Sequence, residues 1–415
     1  MTTVDVLVVG AGPAGSTAAY HLARAGRSVL LVEEHSRVGH PVQCAGLVSQ
    51  RVLDLAGTDS IVRTAVRGAT VLGPRSARVS FRAPEPRAFV IDRAGLDRHL
   101  ADRAAGAGAE VATSRRFDRL LGRTADGADV ELRDEGGAVT AVRARLVIGA
   151  DGVASPVARA FRLRRPVEIL PAFEAELGES PGDPAEVEVY LGRGIAPGLF
   201  GWWIPDGASG GRLGVAIEAG DQTARFYYDR LLDRFSERHG RTPHGLTSYL
   251  VSGIPIGSVP RTSGDRVLLV GDAAAQVKPL SGGGIFTGMR CAEIAAGVAE
   301  RALAADDVGA AALAAYDRAW RAELGDEFQR AQYLRRIFVR LSDDELERVV
   351  EALQAAHLTT AIVAFGDIDF PSRVARAVLR QSPGLLRLFP KALGALTGGA
   401  LLAPDLDARD GRAAT

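Results

Sequence analysis

Residues 10–15 of the chain, GAGPAG, have the G-x-G-x-x-G spacing that binds the pyrophosphate of a dinucleotide. They follow an apolar run at residues 4–9 and precede a small-residue pattern typical of a helix. In such a turn the first glycine allows the tight bend, the second lets the backbone approach the phosphates, and the third lets helix and strand pack closely. Glu33, at the end of the next apolar run, is placed to bind a ribose. We therefore predict a dinucleotide site rather than an ordinary glycine-rich turn. The predicted contacts are Gly10, Gly12, Pro13, Ala14, Gly15 and Glu33.

Two later segments place an acid beside glycines. In RVLLVGDAAAQVKPLSGGGIFTGMRCAEIAA, residues 266–296, a buried-strand pattern ends at Asp272, and a glycine cluster then opens a helix. The Asp272 carboxylate is suited to accept a hydrogen bond from a sugar hydroxyl, and the helix N-terminal amides suit an electron-rich oxygen. In LVIGADGVASPVAR, residues 146–159, Asp151 follows another apolar run. Each residue also has a purely structural interpretation. Asp272 would be a helix N-cap, Asp151 a turn residue, and Cys291, in the helix after the glycine cluster, a core residue.

Taken together and in this order, the three motifs resemble the FAD-binding motifs of the flavoprotein hydroxylase superfamily, which has a glutathione-reductase-like fold. The resemblance implies that Asp272 contacts the ribityl chain of FAD. It also implies that the glycines beyond Pro279 approach the isoalloxazine ring. The contacts that it implies in this loop are Pro279, Gly283, Gly284 and Ile285.

Two segments narrow the resemblance to one family. VGHPVQCAGLVS, residues 38–49, is similar to the P-x-x-C signature of the geranylgeranyl reductase family, and VIDRAGLDRHL contains an arginine, Arg93, that matches its FAD-contacting arginine. The resemblance implies FAD contacts at Cys44, Ala45 and Val111. Because a thiol is mostly protonated at neutral pH, Cys44 is also a candidate catalytic residue, for proton delivery or substrate positioning. The alternative is a small buried apolar residue.

A third segment, APGLFGWWIPDG, falls where that family carries an aromatic Y-x-W-x-F-P signature lining a prenyl-chain cavity. Trp202 and Pro205 keep the pattern, whereas Phe200 and Ile204 depart from it. Side chains two apart on a strand share a face, so Phe200 and Trp202 are predicted to line the cavity with Trp203 on the opposite side. We predict substrate contacts at Phe200, Trp202 and Pro205. The alternative is that all the aromatic side chains belong to the core.

The same segment reads F-x-W-x-I-P, close to the W-x-W-x-I-P of flavin-dependent halogenases. Such a halogenase needs an active-site lysine in its N-terminal third. This chain has only two lysines, Lys278 and Lys391, which excludes that chemistry. Lys278, one residue before Pro279, is predicted to be a solvated surface residue.

The composition excludes several other classes of function. The 415 residues include 50 basic and 50 acidic side chains, so the zero formal charge gives no reason to expect a nucleic-acid partner. The two cysteines lack metal-ligand spacing, which argues against an iron–sulfur cluster or other metal site. No apolar run reaches the roughly 20 residues of a spanning helix. We expect a cytoplasmic protein, peripheral to the membrane if the apolar segment at residues 382–402 docks there rather than packing over the cavity.

The elements that position these residues alternate between two kinds. Strand, glycine turn and helix patterns predict a Rossmann-like FAD-binding domain, and β-branched alternation between them predicts an antiparallel-sheet substrate domain threaded through it. The predicted fold class is therefore α/β with interleaved domains and a helical C-terminal segment. The predicted boundaries are 1–64, 91–165 and 255–311 for the FAD domain, 65–90 and 166–254 for the substrate domain, and 312–415 for the helical segment.

The resemblance implies an FAD-dependent oxidoreductase that reduces carbon–carbon double bonds of an isoprenoid chain, as part of a lipid, quinone or diphosphate. The alternatives are an NAD(P)H- and oxygen-dependent hydroxylase and, third, an electron-transfer flavoprotein acting on quinones. No second G-x-G-x-x-G follows a strand, so the electron donor is expected to be transiently bound NAD(P)H or a separate ferredoxin-like carrier protein.

Overall fold

The structure is a computed structural model that describes residues 1–384 except 167, 179–180, 208–209, 244–245 and 258. Its strands are β1 (Thr2–Val9), β2 (Val29–Val32), β3 (Leu47–Val48), β4 (Val62–Val66), β5 (Gly68–Leu72), β6 (Arg78–Arg82), β7 (Ala88–Ile91), β8 (Glu110–Ala112), β9 (Arg115–Arg123), β10 (Ala128–Asp134), β11 (Val139–Gly149), β12 (Glu168–Leu177), β13 (Glu186–Tyr190), β14 (Gly201–Pro205), β15 (Gly211–Ala216), β16 (Leu246–Ile256), β17 (Ser263–Gly264) and β18 (Val267–Leu269). Its α-helices are α1 (Pro13–Arg24), α2 (Gln50–Ala56), α3 (Arg93–Gly106), α4 (Pro156–Ala160), α5 (Ala224–His239), α6 (Ile285–Ala304), α7 (Ala310–Phe338), α8 (Asp343–Leu353), α9 (Ala356–Phe365) and α10 (Pro371–Gln381).

The first sheet is the nucleotide-binding type that the glycine motifs predict. Its order is β17-β18-β11-β1-β2-β8, and β1 pairs in parallel with both β2 and β11. Continuous apolar runs form these strands because both faces are covered. Small side chains such as Ala18 and Ala295 let α1 and α6 pack against one face. The β9–β10 hairpin and α4 contribute to the core on the other face. The carboxyl ends of β1, β2 and β18 therefore lie together at one edge.

The second sheet has the order β16-β12-β15-β14-β13-β5-β6 and is antiparallel except for the parallel pair β13 and β5. Side chains alternate between its faces. One face packs against α5 through Phe173, Trp203 and Phe235. The other face carries Phe200 and Trp202 and belongs to a separate apolar cluster. A small third sheet, β3-β7-β4, packs beside this second face at Ile204.

The predicted fold class is confirmed, because strands of the two large sheets alternate along the chain and helices follow from α7 onward. The domain boundaries stay a prediction. The strand-like interpretation of residues 166–254 is wrong over Ala224–His239, which form a helix with Thr223 as N-cap. Among the helices that the structure describes, none is both long and apolar enough to span a bilayer. Most of the apolar segment at residues 382–402 lies outside the described residues.

Candidate functional site

The glycine turn between β1 and α1 is shaped by backbone contacts. Gly10 has a φ of +99°, and a Cβ there would overlap the carbonyl oxygen of Ala150. A Cβ on Gly15 would overlap the carbonyl oxygen of Gly10. Gly12 differs, because a Cβ there would meet no atom within 4 Å. The turn thus leaves an open space at the N-terminus of α1, where backbone N–H groups favour a phosphate.

Glu33 lies directly after β2 and is tied to this turn. Its Oε2 accepts a hydrogen bond from the Ala11 N–H at 3.0 Å, and its Oε1 accepts one from the His35 backbone N–H at 3.1 Å. The carboxylate therefore sits beside the phosphate-binding space, where a ribose would lie. Val111 of β8 is the register partner of Leu31 in β2, which places it next to the same edge of the sheet.

Asp272 follows β18 in a short 3-10 turn, Gly271–Ala274. Within the described part of the chain no side chain or backbone group donates a hydrogen bond to its carboxylate. Burial raises the pKa of Asp272 to about 6, although the charge of Arg93 opposes the shift. A Cβ on Gly284, the residue before α6, would lie 3.1 Å from Asp272 Oδ1. The carboxylate and the α6 N-terminus therefore lie side by side on one surface.

Arg93, the first residue of α3, faces the same surface. Its guanidinium forms an ion pair with Asp97 one turn along and interacts with the Cys44 thiol. Its Nε has no hydrogen-bond partner among the described residues although it is buried. A buried N–H donor without an acceptor lowers the stability of the fold, so this nitrogen is suited to donate to a bound ligand. Asp151, in contrast, is already satisfied, since it accepts hydrogen bonds from the Val157 N–H and the Ser155 hydroxyl.

The loop from Lys278 to Ile285 contains the predicted flavin contacts and is tied to a distant segment. Lys278 closes the loop through backbone hydrogen bonds with Gly282 and Gly283, at 2.9 and 3.1 Å. Its ammonium donates to the Ile368 carbonyl at 2.7 Å and pairs with Asp369 at 3.1 Å. The prediction of a solvated Lys278 is wrong, because the residue is only 6% exposed. Pro279 and Ile285 lie within and directly after this loop.

The aromatic segment divides between the two faces of the second sheet. The rings of Phe200 and Trp202 lie on one face with their centroids 6.3 Å apart. Trp203 is 1% exposed on the other face and packs against Phe235 of α5 at 4.8 Å. Pro205 ends β14 and is buried. Phe200 and Trp202 thus lie where the sheet faces away from α5, and Trp202 shares a cluster with Ala45.

Two charged residues that the sequence reasoning missed lie on this same face. Glu174 of β12 accepts a hydrogen bond from Trp202 Nε1 at 2.7 Å. Arg212 of β15, 3% exposed, donates to the Ala45 carbonyl at 2.6 Å and so joins the second sheet to the Cys44 segment. Cys44 Sγ accepts a weak hydrogen bond from the Gly46 N–H. Charged residues alternating with apolar ones in FEAEL and GRLGV were the available signal.

These residues fit FAD. The turn at Gly12 is open, Asp272 has an unused acceptor, and Arg93 has an unused donor. The facing sheet supplies an apolar aromatic surface. Among the described residues, no group of three or more His, Cys, Asp or Glu side chains could hold a metal ion. The arrangement suits a flavin bound between the first sheet and an apolar substrate on the second.

Comparison with known proteins identifies the family. Residues 3–186 match the family described as the FAD binding domain. The chain is 36% identical to digeranylgeranylglycerophospholipid reductase 2 of Methanothermobacter thermautotrophicus, over 86% of this chain and 93% of that protein. It is 34% identical to the protein of the same name from Methanopyrus kandleri, over 92% and 98%. The fold superposes with a TM-score of 0.83 on a geranylgeranyl bacteriochlorophyll reductase-like protein from Thermoplasma acidophilum, at 26% identity and over 94% and 100% of the two chains. The chain therefore belongs to the geranylgeranyl reductase family of FAD-binding oxidoreductases.

Proposed function

We propose that this protein is an FAD-dependent oxidoreductase that reduces carbon–carbon double bonds of a geranylgeranyl-type isoprenoid chain carried on a lipid. The observation that carries the proposal is the extent of the match to reductases named for digeranylgeranylglycerophospholipids. A match over 92% of the chain includes the second sheet as well as the residues around the FAD site. The aromatic wall at Phe200 and Trp202 supports the same substrate class, since rigid apolar side chains hold a prenyl chain at low entropic cost.

FAD, when bound and reduced, supplies a hydride to one alkene carbon. The chain's own residues do the remaining work in this proposal. Phe200 and Trp202 exclude water and hold the prenyl chain flat. Arg212 fixes the Ala45 carbonyl, which keeps Cys44 at the border between the two sheets. The Cys44 thiol supplies or relays the proton that the second alkene carbon needs.

We further propose that electrons reach the flavin from transiently bound NAD(P)H or a ferredoxin-like carrier protein. The protein would be cytoplasmic and would meet its lipid at the membrane surface. Support for the electron donor comes from the single dinucleotide-type glycine turn in the sequence. The donors can be compared directly by the rate at which each one bleaches the flavin absorbance anaerobically.

The function is tested by reducing the FAD-loaded protein anaerobically, adding a geranylgeranyl glycerophospholipid and weighing the product. We expect a gain of two mass units for each reduced double bond. An untouched lipid together with oxygen incorporated into a substrate in air would favour the hydroxylase instead. Trp202→Ala should retain FAD yet lose lipid reduction. Tyr249→Ala, which removes an exposed aromatic ring from β16, is the matched control and should stay active.

A further inference from the structure

Glu174 is a buried acid whose nearest polar partner is an aromatic side chain. It lies in the middle of β12 and is 5% exposed. In the register of the sheet, Glu174 is opposite Gly214 of β15, and Gly214 is in turn opposite Trp202 of β14. The three residues therefore form a row across three neighbouring strands, on the face that carries Phe200. The hydrogen bond from Trp202 Nε1 to Glu174 Oε2 spans the row.

The indole of Trp202 lies flat across this row. A Cβ on Gly214 would be 2.5 Å from the indole Cε2 and 2.7 Å from Nε1, so only glycine leaves room for the ring. Ala172 and Ala216, the next small residues of that face, extend the shallow floor. The ring is thus fixed underneath by Gly214 and at its N–H by Glu174. Elsewhere on a sheet such a ring would stand out from the strands.

We propose that Glu174 is a positioning residue for the prenyl-chain slot, acting through Trp202. This inference rests on the proposed function. It adds that Glu174 fixes how far the Trp202 indole projects from the sheet into the prenyl-chain cavity. With the carboxyl in place, the indole stays against the sheet and leaves room above it for a flat isoprenoid chain. Without the carboxyl, the ring is free to turn about its side-chain bonds and to fill that room.

Three variants test the inference. Glu174→Ala removes the acceptor, and we expect the KM for a geranylgeranyl glycerophospholipid to rise about tenfold with little change in kcat, the scale of one lost hydrogen bond. Glu174→Gln keeps an acceptor oxygen and should restore a KM near the wild-type value. Gly214→Ala displaces the ring while Glu174 is intact, and should raise the KM in the same way. Asp229→Asn, which alters an exposed acid on α5, is the control.

A readout without turnover separates positioning from simple stabilisation. Lipid binding to the oxidised, FAD-loaded protein is followed by tryptophan fluorescence, and the affinity should fall in Glu174→Ala and Gly214→Ala while FAD stays bound. A normal KM and normal lipid affinity in Glu174→Ala, with only the thermal midpoint lowered, would overturn the inference alone. A wild-type protein that neither binds nor reduces the lipid would overturn the proposed function, and this inference with it.

Discussion

Asp272 combines a half-buried side chain with an unused hydrogen-bonding capacity. Burial raises the pKa of this carboxylate to about 6, although the charge of Arg93 opposes the shift. If a ribityl hydroxyl donates to the carboxylate, binding favours the charged form and lowers this pKa. We therefore expect the FAD affinity to increase as the pH rises through about 6 and to level off above it.

Asp272→Asn should weaken FAD binding at pH 7 by about tenfold, because the negative charge that strengthens the hydrogen bond is lost although an acceptor oxygen remains. The pH dependence between pH 5 and 7 should largely disappear as well. Flavin fluorescence quenching at each pH measures both effects. Asp265→Asn, which changes an exposed acid on the same segment, should leave the curve unaltered. An identical pH curve in Asp272→Asn would place this carboxylate outside the FAD site.

The raised pKa of Glu174 predicts that the free energy of unfolding depends on pH. Burial raises its pKa to about 7, although the Trp202 hydrogen bond and Arg212 oppose the shift and Glu176 adds to it. The folded chain therefore keeps a proton that the unfolded chain releases above pH 4.5, so the free energy of unfolding falls as the pH rises from about 4.5 to 7. The shift corresponds to about 3 kcal/mol at most. In Glu174→Gln the free energy of unfolding should no longer fall for this reason between pH 4.5 and 7. The thermal midpoint of the variant should therefore be higher than that of wild type at pH 8 but not at pH 5. If the thermal midpoints of wild type and variant changed with pH in parallel, this prediction would be contradicted.

The β1–α1 turn contains glycines with two different roles, close packing at Gly15 and open space for a ligand at Gly12. Gly15→Ala places a Cβ on the Gly10 carbonyl oxygen, so α1 cannot pack and the FAD-free chain should lose several kcal/mol of stability. Gly12→Ala meets no protein atom and has an ordinary φ of −72°. It should leave the FAD-free thermal midpoint within about 2 °C of wild type. Its Cβ lies where the pyrophosphate approaches, so its FAD affinity should fall at least tenfold.

Denaturation of the FAD-free protein and titration with FAD distinguish the two variants. Equal destabilisation of both FAD-free proteins would mean that the Gly12 position serves packing alone. Normal FAD affinity in Gly12→Ala would mean that the phosphates of FAD do not bind at the N-terminus of α1.

Local patterns explain which elements the sequence predicts. The glycine turn, Glu33 and the Asp272 turn are each readable within about 25 residues, because strand, turn and helix follow one another directly. Helix α5 was missed although Tyr228, Leu231 and Phe235 have helical spacing, because its aromatic residues also favour strands. The prediction that Phe200 and Trp202 share one face of the sheet needed only the alternation of side chains along a strand.

Contacts between distant segments could not be read in this way. Glu174 and Trp202 are 28 residues apart, Lys278 and Asp369 are 91 apart, and Arg212 and Ala45 are 167 apart. Each pair depends on the strand register or on the docking of helices, which no local pattern specifies. The buried charges of the site were therefore found only in the folded chain, whereas its glycines and aromatic residues were recognisable beforehand.

A hydrogen bond from Arg212 joins the second sheet to the segment that carries Cys44. Arg212 donates to the Ala45 carbonyl at 2.6 Å and to Glu176 at 3.3 Å, and its other terminal nitrogen lies 3.6 Å from Asp206. Arg212→Met keeps most of the side-chain volume but leaves a carbonyl and two acids without this partner. Breaking a buried charge cluster costs about 3 kcal/mol or more. We expect faster hydrogen exchange at residues 44–46 and at least a tenfold loss of lipid reduction, with the secondary structure retained.

The matched control is Arg225→Met, which breaks an exposed ion pair with Asp229 on the surface of α5. An exposed pair contributes less than about 1 kcal/mol, so this variant should keep both its exchange pattern and its activity. Hydrogen exchange by mass spectrometry measures the effect on the Cys44 segment without needing turnover. If residues 44–46 stay as protected in Arg212→Met as in wild type, the two layers are held together by their apolar contacts, and Arg212 only satisfies local charges. If protection is lost while FAD remains bound, the hydrogen bond from Arg212 to the Ala45 carbonyl holds the Cys44 segment in place, because the apolar contacts of Ala45 with Ile204 and Trp202 remain in this variant.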